Sequence, residues 1–381
     1  MTKQVLPGGT IGILGGGQLG RMFALAAHRL GYRIHVYHSS TGSPAGQVAD
    51  KESAGSFEDE EALRSFARGL DVATYEFENI PLKTLEILES EGVSVRPGKD
   101  ILHTAQSRRR EKEFLSRHGF PVAPHRIVHS AEELAAAARD LGFPCVLKTV
   151  DFGYDGKGQQ KLAPGFDDAA VWARHGQPAG IVEAWLDCRA ELSVLVARGG
   201  DGQASVFPIS RNDHRNQILD LSIVPADLPP ESVAEARRVA LAVAEQLGLV
   251  GLLAVEFFLT TDGRVLVNEM APRPHNSGHY SLDACVTSQF EQQLRAVCGL
   301  PLGDTSLLTP VVMRNLLGDL WSAGEPAWDR LLALPGLRLH LYGKSGARPG
   351  RKMGHYCVLA PSLEEALAID AQAQALLKPS A

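Results

Sequence analysis

Cysteine is scarce in this chain, and its five cysteines are not arranged for a disulfide framework or a zinc site. They are odd in number, are scattered over 381 residues and include no C-x-x-C pair. Small disulfide-rich secreted domains and structural zinc modules are therefore excluded. The pattern favours a reducing compartment, and we expect the protein to be cytoplasmic.

Long apolar runs and an excess of positive charge are also missing. No stretch of 18 apolar residues occurs, and the chain does not begin with the charged and then apolar residues of a signal peptide, so we expect no membrane association. The formal net charge of -6 argues against a nucleic-acid partner, although small phosphorylated ligands remain compatible with it. A hydrophobic content of 44% is typical of globular proteins, and 381 residues predict two or three domains.

What the chain does contain is a glycine-rich loop after a short apolar strand. The strand covers residues 144–147, and the loop that follows, Lys148 to Gln159, includes three glycines and a second lysine, Lys157. Glycines let backbone N–H groups approach an anion, and the lysines add cationic donors, so we predict a phosphate-covering loop. It is not a Walker loop, because Gly158 stands where that motif has a hydroxyl residue. Taken alone, the loop is equally consistent with a glycine-rich surface hairpin.

A second glycine turn lies near the N-terminus. The apolar run Thr10 to Leu14 leads into Gly15 to Arg21, a helical segment follows, and Arg33 to Tyr37 predicts a second strand. Strand, glycine turn and helix is the context of a dinucleotide fold. The acidic residue that would hold a ribose after the second strand is absent, since the sequence there begins with His38. We therefore expect a phosphate or another small ligand at this turn, and an NAD-dependent oxidoreductase stays open as a rival.

Polar residues also follow the strand predicted at Asp71 to Tyr75. Glu76, Glu78 and Asn79 lie at its carboxyl end, where open α/β sheets bind ligands, and they are suited to receive sugar hydroxyls or an amine. For Glu78 and Asn79, a helix N-terminus with acidic first-turn residues is equally consistent. The strand and helix alternation pauses at Arg96, which places a first domain boundary near residue 100.

Two acidic residues are predicted to face each other across a β-hairpin. If Asp262 and Gly263 form a two-residue turn, Glu256 falls opposite Glu269. Opposed buried carboxylates are destabilising unless a cation lies between them, and Mg²⁺ with oxygen ligands is the natural resolution. The neighbours expected on that face are Ala254, Phe258, Val265 and Val267. A sheet edge with both carboxylates turned to water is the alternative.

The residues around this hairpin extend the candidate site. Asn268 could join the carboxylates as a third ligand only through a bulge, because strict alternation turns it to the other face. The proline-punctuated segment from 271 to 279 follows, in a position where substrate groups collect. His279 within it is as readily structural.

Other candidates are weaker on their own. Glu183 and Glu191 flank an apolar connection that can offer backbone groups to a purine and a carboxylate to a ribose, although an ordinary strand crossing fits equally well. His214 is a lone histidine in a polar run. Among the three arginines that start with Arg108, at most one can point at a given ligand.

The last third alternates short strands with turns and predicts a small β-rich domain. Strands are expected at Val311 to Leu316, Leu337 to Tyr342 and Met353 to Leu359. The loop from 343 to 354 contains four basic residues and no acidic one, and a solvated basic loop is the alternative to an anion site.

Together these pieces resemble the ATP-grasp enzymes, and among them the N5-carboxyaminoimidazole ribonucleotide synthetase family of de novo purine biosynthesis. The resemblance is carried, in order along the chain, by residues 15–21, 76–79, 148–159, 268–279 and 351–355. The sequence departs from the family at Val150 and Asp151, where basic residues are common.

The resemblance implies an α/β and α+β architecture. It consists of a Rossmann-like N-terminal domain at 1–100, a central ATP-grasp domain at 101–300 and a small C-terminal β-rich domain at 301–381. It also implies a homodimer.

The implied reaction joins bicarbonate to 5-aminoimidazole ribonucleotide at the expense of ATP, through carboxyphosphate. The implied cofactors are ATP and Mg²⁺, with Mn²⁺ as a substitute, and the product would be handed to the N5-carboxyaminoimidazole ribonucleotide mutase. Another ATP-grasp carboxylate-amine ligase, the oxidoreductase and a non-enzymatic nucleotide sensor are the alternatives.

The resemblance assigns roles to particular residues. For ATP they are Arg108, Lys148, Gly153, Tyr154, Asp155, Gly156, Lys157, Gly158, Gln159, Glu183, Ala184, Trp185, Leu186, Glu191, His214, Asn268 and Glu269. For the metal they are Glu256, Glu269 and Asn268. For the ribonucleotide they are Gln18, Glu76, Tyr154, Asp155, Arg273, His275, Asn276, Lys344 and Arg351. The catalytic residues would be Arg273, His275 and Asp155.

Overall fold

The N-terminal region of the computed structural model is a parallel sheet with helices on both faces. The structure describes residues 4–151 and 158–377. The first elements are β1 (Thr10–Leu14), α1 (Gln18–Arg29), β2 (Arg33–His38), β3 (Lys51–Ala54), α2 (Glu60–Ala67), β4 (Val72–Tyr75), α3 (Leu82–Ser90) and α4 (Lys99–Ala105). The strand order is β3-β2-β1-β4, all parallel, which confirms the Rossmann-like prediction. The short, polar edge strand β3 was not predicted, because it lacks an apolar run.

A small antiparallel sheet follows and leads into the glycine-rich loop. Its region contains α5 (Arg108–Arg117), β5 (His125–Val128), α6 (Ala131–Leu141), β6 (Cys145–Thr149), β7 (Gln159–Leu162), α7 (Asp168–His175) and β8 (Gly180–Ala184), with strand order β5-β8-β6-β7. Helix α6 begins where its cap predicts, since the Ser130 side chain accepts a hydrogen bond from the backbone of Glu133. Strand β6 is buried and ends at Thr149, so the phosphate-loop candidate starts at a fixed point of the sheet.

The large sheet has nine strands and carries most of the candidate site. Its first six strands are β9 (Cys188–Arg198), β10 (Ala204–Val206), β11 (Ser210–Arg215), β12 (Ile218–Val224), β13 (Gly251–Thr260) and β14 (Val265–Ala271). Helix α8 (Pro230–Gln246) lies between β12 and β13 in the chain, and α9 (Ser281–Ala284) and α10 (Gln289–Val297) follow β14. Helix α8 packs on one face, where Val239 and Val243 meet Val194 and Val255. Helix α10 packs between this sheet and the N-terminal core, because it contacts β9 and β13 and its Phe290 meets core residues of α1.

The C-terminal strands extend the same sheet. They are β15 (Val311–Leu317), β16 (Leu337–Leu341) and β17 (Lys352–Leu359), accompanied by α11 (Trp328–Leu332) and α12 (Leu363–Leu377). The sheet order is β14-β13-β9-β11-β12-β15-β17-β16, with β10 beside β9. All three predicted strands are confirmed, and the β12–β15 pairing joins them to the central region. The domain boundaries near residues 100 and 300 stay a prediction.

The β13–β14 hairpin confirms the predicted pairing by an unpredicted route. Its turn has three residues, 261–263, because Leu259 pairs with Val265 and the Thr260 N–H donates to the Arg264 carbonyl at 2.9 Å. A bulge on β14 then leaves Asn268 unpaired. The extra turn residue and the bulge compensate, so Glu256 lies opposite Glu269. The face assigned to Val265 and Val267 was wrong, because the bulge turns both into the core with Phe257.

Among the described residues, no helix combines the length and apolarity needed to cross a bilayer.

Candidate active site

Two adjoining clefts contain most of the predicted residues that the structure describes. The first, which we call the sheet cleft, has a volume of about 270 Å³ and is lined by residues of β9, β11, β13 and β14. The second, the glycine-turn cleft, has a volume of about 390 Å³ and lies between the glycine turn, the end of β4 and the segment after β14. The residues that line both are Arg108, Glu269, His275, Asn276 and Lys352. A group held at this border can therefore contact ligands in both clefts.

The bulge gathers the predicted metal ligands in the sheet cleft. Glu256, Asn268 and Glu269 all line it, so the bulge that Asn268 required is present. The Glu269 Oε2 atom lies 3.1 Å from Arg108 Nη1, and Glu256 Oε1 lies 3.3 Å from His275 Nε2. Of the three arginines at the start of α5, Arg108 is thus the one that points into the site.

The two carboxylates differ in their electrostatic surroundings. Burial, followed by repulsion from Glu269, raises the pKa of Glu256 above its ordinary range. Burial would also raise the pKa of Glu269, but Arg108 and then Lys148 outweigh it and lower that pKa. Glu269 is therefore the ionised member of the pair, and a cation would have to bind to deprotonate Glu256.

One of the two lysines predicted for phosphate, Lys148, is engaged by a buried carboxylate. Lys148 Nζ donates to Glu183 Oε2 at 2.7 Å, and Lys112 Nζ lies 3.9 Å from Glu183 Oε1. Glu183 is 2% exposed, so its carboxylate positions Lys148 and is not open to a ribose. Of the two acidic residues considered for a ribose, Glu191 is the accessible one. It lines the sheet cleft, and its Oε2 atom lies 3.1 Å from His214 Nδ1.

The other predicted nucleotide residues are spread over three places. Gln159 lines the sheet cleft, while Gly158 lies at the start of β7 with its carbonyl bonded to Thr149. The segment Ala184–Leu186 is not among the described residues that line the sheet cleft. Residues Gly153, Tyr154, Asp155, Gly156 and Lys157 lie outside the described residues, and their assigned roles stay predictions.

The N-terminal glycine turn holds an anion that belongs to the protein itself. The Glu76 carboxylate accepts hydrogen bonds from the backbone N–H groups of Gly17 and Gly20. These N–H groups are thus engaged by a side chain from the end of β4, and a ligand at this turn stays a prediction. Gln18 lines the cleft beside it.

Arg273 and His275 face the same cleft in different electrical states. Arg273 Nε lies 2.7 Å from Glu78 Oε1 in a largely buried ion pair. Burial, followed by the charge of Arg273, lowers the pKa of His275 well below its usual value. The His275 Nδ1 atom accepts a hydrogen bond from the backbone N–H of Ser277, so the neutral ring carries its proton on Nε2. His275 is therefore a hydrogen-bond donor toward the border of the two clefts.

The loop that carries His275 is fastened by two buried amides. Gln289 accepts from the His275 backbone N–H and donates to its carbonyl, both at 2.8 Å. Asn276 exchanges hydrogen bonds with Asn315 of β15 at 2.7 and 2.9 Å. These contacts place the Asn276 backbone and the His275 ring at the border of the clefts.

The basic C-terminal loop contacts the N-terminal region, but the two residues predicted for the phosphate, Lys344 and Arg351, donate hydrogen bonds to carbonyls of the same loop. The Gly343 carbonyl accepts a hydrogen bond from Gln47 Nε2 at 2.8 Å, which supports the expected closure over the first domain. Lys344 Nζ donates to the Lys352 carbonyl at 2.7 Å, and Arg351 donates to carbonyls of residues 345 and 346. The basic residue of this loop that lines both clefts is Lys352, so a role of Lys344 and Arg351 in phosphate binding stays a prediction.

Family comparisons agree with this arrangement along the whole chain. Three family models match in order: the ribonucleotide synthetase preATP-grasp domain at 9–106, the ATP-grasp domain at 113–290 and the phosphoribosylaminoimidazole carboxylase C-terminal domain at 311–369. A relative from Bacillus subtilis (strain 168), named N5-carboxyaminoimidazole ribonucleotide synthase, is 47% identical over 93% of this chain and 93% of its own. The chain belongs to the N5-carboxyaminoimidazole ribonucleotide synthase family. It is an ATP-dependent ligase, and the oxidoreductase and sensor alternatives are set aside.

Solved structures of this synthase family show the same architecture. An ADP complex of N5-carboxyaminoimidazole ribonucleotide synthetase has a TM-score of 0.92 and 46% identity, with 98% of each chain covered. The Aspergillus clavatus synthase in complex with ADP and 5-aminoimidazole ribonucleotide has a TM-score of 0.87 and 31% identity, covering 97% of this chain and 98% of that one.

Sequence reasoning missed several residues that shape the site of this synthase family member. Glu111 and Lys112 are buried on α5 and contact the backbone of β14. They stand three and four positions after Arg108, a spacing that places all three on one helix face and would have predicted them. Gln289 gave no such signal, because its partners lie at distant positions in the chain.

Proposed function

We propose that the chain carboxylates 5-aminoimidazole ribonucleotide with bicarbonate and ATP, giving N5-carboxyaminoimidazole ribonucleotide, ADP and phosphate. The single observation that carries the proposal is the border of the two clefts. ATP would occupy the sheet cleft beside Glu191 and His214, and the ribonucleotide would occupy the glycine-turn cleft. Arg108, His275 and Lys352 then lie where the γ-phosphate and bicarbonate must meet.

The reaction needs charge control more than covalent help from the protein. The γ-phosphoryl group leaves the ADP oxygen and bonds to a bicarbonate oxygen, which turns a poor electrophile into carboxyphosphate. The exocyclic amine then attacks the carboxyl carbon, or the CO₂ released from it. Phosphate leaves with the bonding electrons, and it takes up the proton that the amine loses. Arg273 and the Nε2–H group of His275 supply a cation and a hydrogen-bond donor for the oxyanions along this path.

The donor set at the hairpin fits a hard divalent cation. Two opposed carboxylates and one amide oxygen are ligands that Mg²⁺ prefers, and Mn²⁺ takes the same set. Within residues 4–151 and 158–377, no group of three or more His, Cys, Asp or Glu side chains is arranged to hold a metal, so nucleotide phosphates and water would complete the shell. A cation bound there supplies charge neutralisation between Glu256, Glu269 and the phosphates.

Three further expectations from the resemblance belong to this proposal. They are a homodimer, the hand-over of product to the N5-carboxyaminoimidazole ribonucleotide mutase, and a cytoplasmic location. They are tested separately by sedimentation equilibrium, by coupled kinetics with the mutase and by cell fractionation.

The proposed reaction is tested by measuring ADP and carboxylated product together. We expect product only when ATP, bicarbonate, 5-aminoimidazole ribonucleotide and Mg²⁺ are all present, with ¹³C from labelled bicarbonate in the carbamate group. If the rate of ATP turnover does not depend on the ribonucleotide and another amide product forms, the chain catalyses a different ligase reaction.

A further inference from the structure

Strand β14 lies at the edge of the large sheet, and its outer backbone groups need partners from elsewhere. The Val267 N–H donates to the Pro121 carbonyl at 2.7 Å. Lys112 Nζ donates to the Asn268 carbonyl at 2.9 Å and lies 3.4 Å from the Val267 carbonyl. The Met270 N–H donates to Glu111 Oε1 at 2.6 Å. The side chains of Glu111 and Lys112, both on α5, therefore bind the strand on both sides of its bulge.

These contacts come from one helix face. Arg108, Glu111 and Lys112 follow the i, i+3, i+4 spacing, and Arg108 contacts the Glu269 side chain while the other two contact the backbone. Glu111 is 3% exposed and Lys112 is 1% exposed. Because burying a polar or charged group is costly unless hydrogen bonds satisfy it, the contacts with β14 also hold these two side chains in place.

The same lysine connects the strand to the phosphate side of the site. Lys112 Nζ lies 3.9 Å from Glu183, whose other oxygen accepts from Lys148. At the start of α5, the Arg108 N–H donates to the Val150 carbonyl at 2.8 Å, where the glycine-rich loop begins. Helix α5 is thus bonded both to β14, which carries the proposed metal ligands Asn268 and Glu269, and to the start of the glycine-rich loop.

We propose that Glu111 and Lys112 are positioning residues that hold the Asn268 bulge and thereby aim Asn268 and Glu269 at one cation. Without the bulge, alternation along β14 would turn these two side chains to opposite faces. The two α5 residues bind the carbonyl of the bulged residue and the N–H that follows Glu269, which are the groups that a regular strand would displace. The identity of the cation rests on the proposed function, whereas the backbone contacts do not.

The first test separates hydrogen bonding from charge at position 111. In Glu111→Gln an amide oxygen still accepts from Met270, while Glu111→Leu removes the acceptor at similar volume. We expect the dissociation constant for Mn²⁺, measured by electron paramagnetic resonance with ADP present, to rise at least about tenfold in Glu111→Leu and less than about threefold in Glu111→Gln. Glu113→Gln, an exposed carboxylate two residues away, is the control and should leave it unchanged.

The second test uses Lys112→Met, which keeps the length of the side chain and removes its donors. We expect a similar weakening of Mn²⁺ binding and faster amide hydrogen exchange in residues 265–271, with exchange in β17 unchanged. Arg109→Met, on the exposed side of α5, is the matched control. Exchange is measured without metal or nucleotide, so it reports on the bulge even if the proposed reaction fails.

Three results would overturn the proposal. One is Mn²⁺ affinity and β14 exchange that stay at wild-type values in Glu111→Leu and Lys112→Met. A second is an equal loss in Glu111→Gln and Glu111→Leu, which would show that charge matters and the hydrogen bond does not. A third is a rise in exchange of equal size in β14 and β17, which would show that the two residues act only on global stability.

Discussion

The Glu76 carboxylate lies 2.7 Å from the backbone nitrogen of Gly20 and also accepts a hydrogen bond from Gly17. The first backbone N–H groups of α1 are therefore bonded to a residue that stands 59 positions after Gly17. The turn orients Glu76 toward the cleft in which the ribonucleotide is proposed to bind.

Gly17→Ala tests this arrangement, because a Cβ at Gly17 would lie 2.7 Å from Glu76 Oε1. We expect the carboxylate to be displaced, the free energy of unfolding to fall by about 1–3 kcal/mol and the KM for the ribonucleotide to rise. The KM for ATP should not change. Gly98→Ala is the control, since a Cβ there meets nothing within 4 Å. Equal effects of the two variants would contradict the role of Glu76.

Glu256→Gln and Glu269→Gln test the metal pair. Each removes one carboxyl ligand from the opposed pair, so we expect turnover to fall by about two orders of magnitude or more and to recover in part at high Mg²⁺. Circular dichroism should show an unchanged fold. The control is Glu245→Gln at an exposed position of α8. Wild-type turnover in either variant would remove the metal assignment.

Gly158→Ala tests the base of the phosphate loop. Gly158 has φ +72°, and a Cβ there would lie 2.7 Å from Thr149 Oγ1. We expect a loss of about 1 kcal/mol in stability from the backbone conformation and, in addition, a KM for ATP raised about tenfold because the loop entry shifts. Gly142→Ala, with φ +81° and no contact within 4 Å, should show the stability loss alone. Kinetics and urea unfolding of both variants decide the matter.

The basic C-terminal loop is tested by three alanine variants. Lys352 lines both clefts, so we expect Lys352→Ala to raise the KM for the ribonucleotide by one to two orders of magnitude, equivalent to about 1.5–3 kcal/mol for a charge-assisted contact. Lys344→Ala should have a smaller effect in the same direction, because Lys344 bonds to the Lys352 backbone. Arg348 is exposed, and Arg348→Ala should leave the KM unchanged. If Arg348→Ala raised the KM for the ribonucleotide more than the other two variants did, the phosphate would bind outside both clefts.

A buried histidine predicts part of the acid sensitivity. Burial, followed by the charges of His279 and His340, lowers the pKa of His355 well below 6.5. Below about pH 6.5 the unfolded chain therefore takes up a proton that the folded protein does not, and stability falls as the pH falls. We expect His355→Gln to reduce this slope by about 1.4 kcal/mol per pH unit between about pH 6 and 5.

The control for this slope is Tyr342→Phe, which removes the 2.9 Å hydrogen bond to His355 Nδ1 and keeps the imidazole. It should lower the free energy of unfolding by about 1 kcal/mol and leave the pH slope unaltered. A slope that is the same in His355→Gln as in the wild type would show that His355 does not contribute to it.

The sequence predicted the elements that are local and strongly patterned. Strands β1 and β6 carry apolar runs beside glycine-rich segments, so β1 was placed at both ends and β6 to within two residues. The facing of Glu256 and Glu269 was predicted correctly for an incomplete reason, because the longer turn and the bulge at Asn268 each shift the register by one. A bulge has no strong sequence signal when the residues that hold it lie on another element.

The parts that were not predicted depend on contacts between distant segments. Glu183 was one of two acidic residues considered for a ribose, with an ordinary strand crossing as the alternative. Its burial beside Lys148 and Lys112 follows from the packing of β8 against β6 and α5. The placement of Glu76 at the glycine turn is of the same kind. The continuation of the central sheet into the C-terminal strands also required knowledge of which edge strand was left unpaired.

The pairing of β12 with β15 has a consequence for how the chain is made. While residues 311–317 are still inside the ribosome, β12 presents an unpaired edge to the cell, because its partner on that side has not yet emerged. A premature stop near residue 300 would release a protein that keeps β9 to β14 but has an open, apolar sheet edge. Such a fragment should accumulate in inclusion bodies, and supplying residues 301–381 as a separate chain should return part of it to the supernatant.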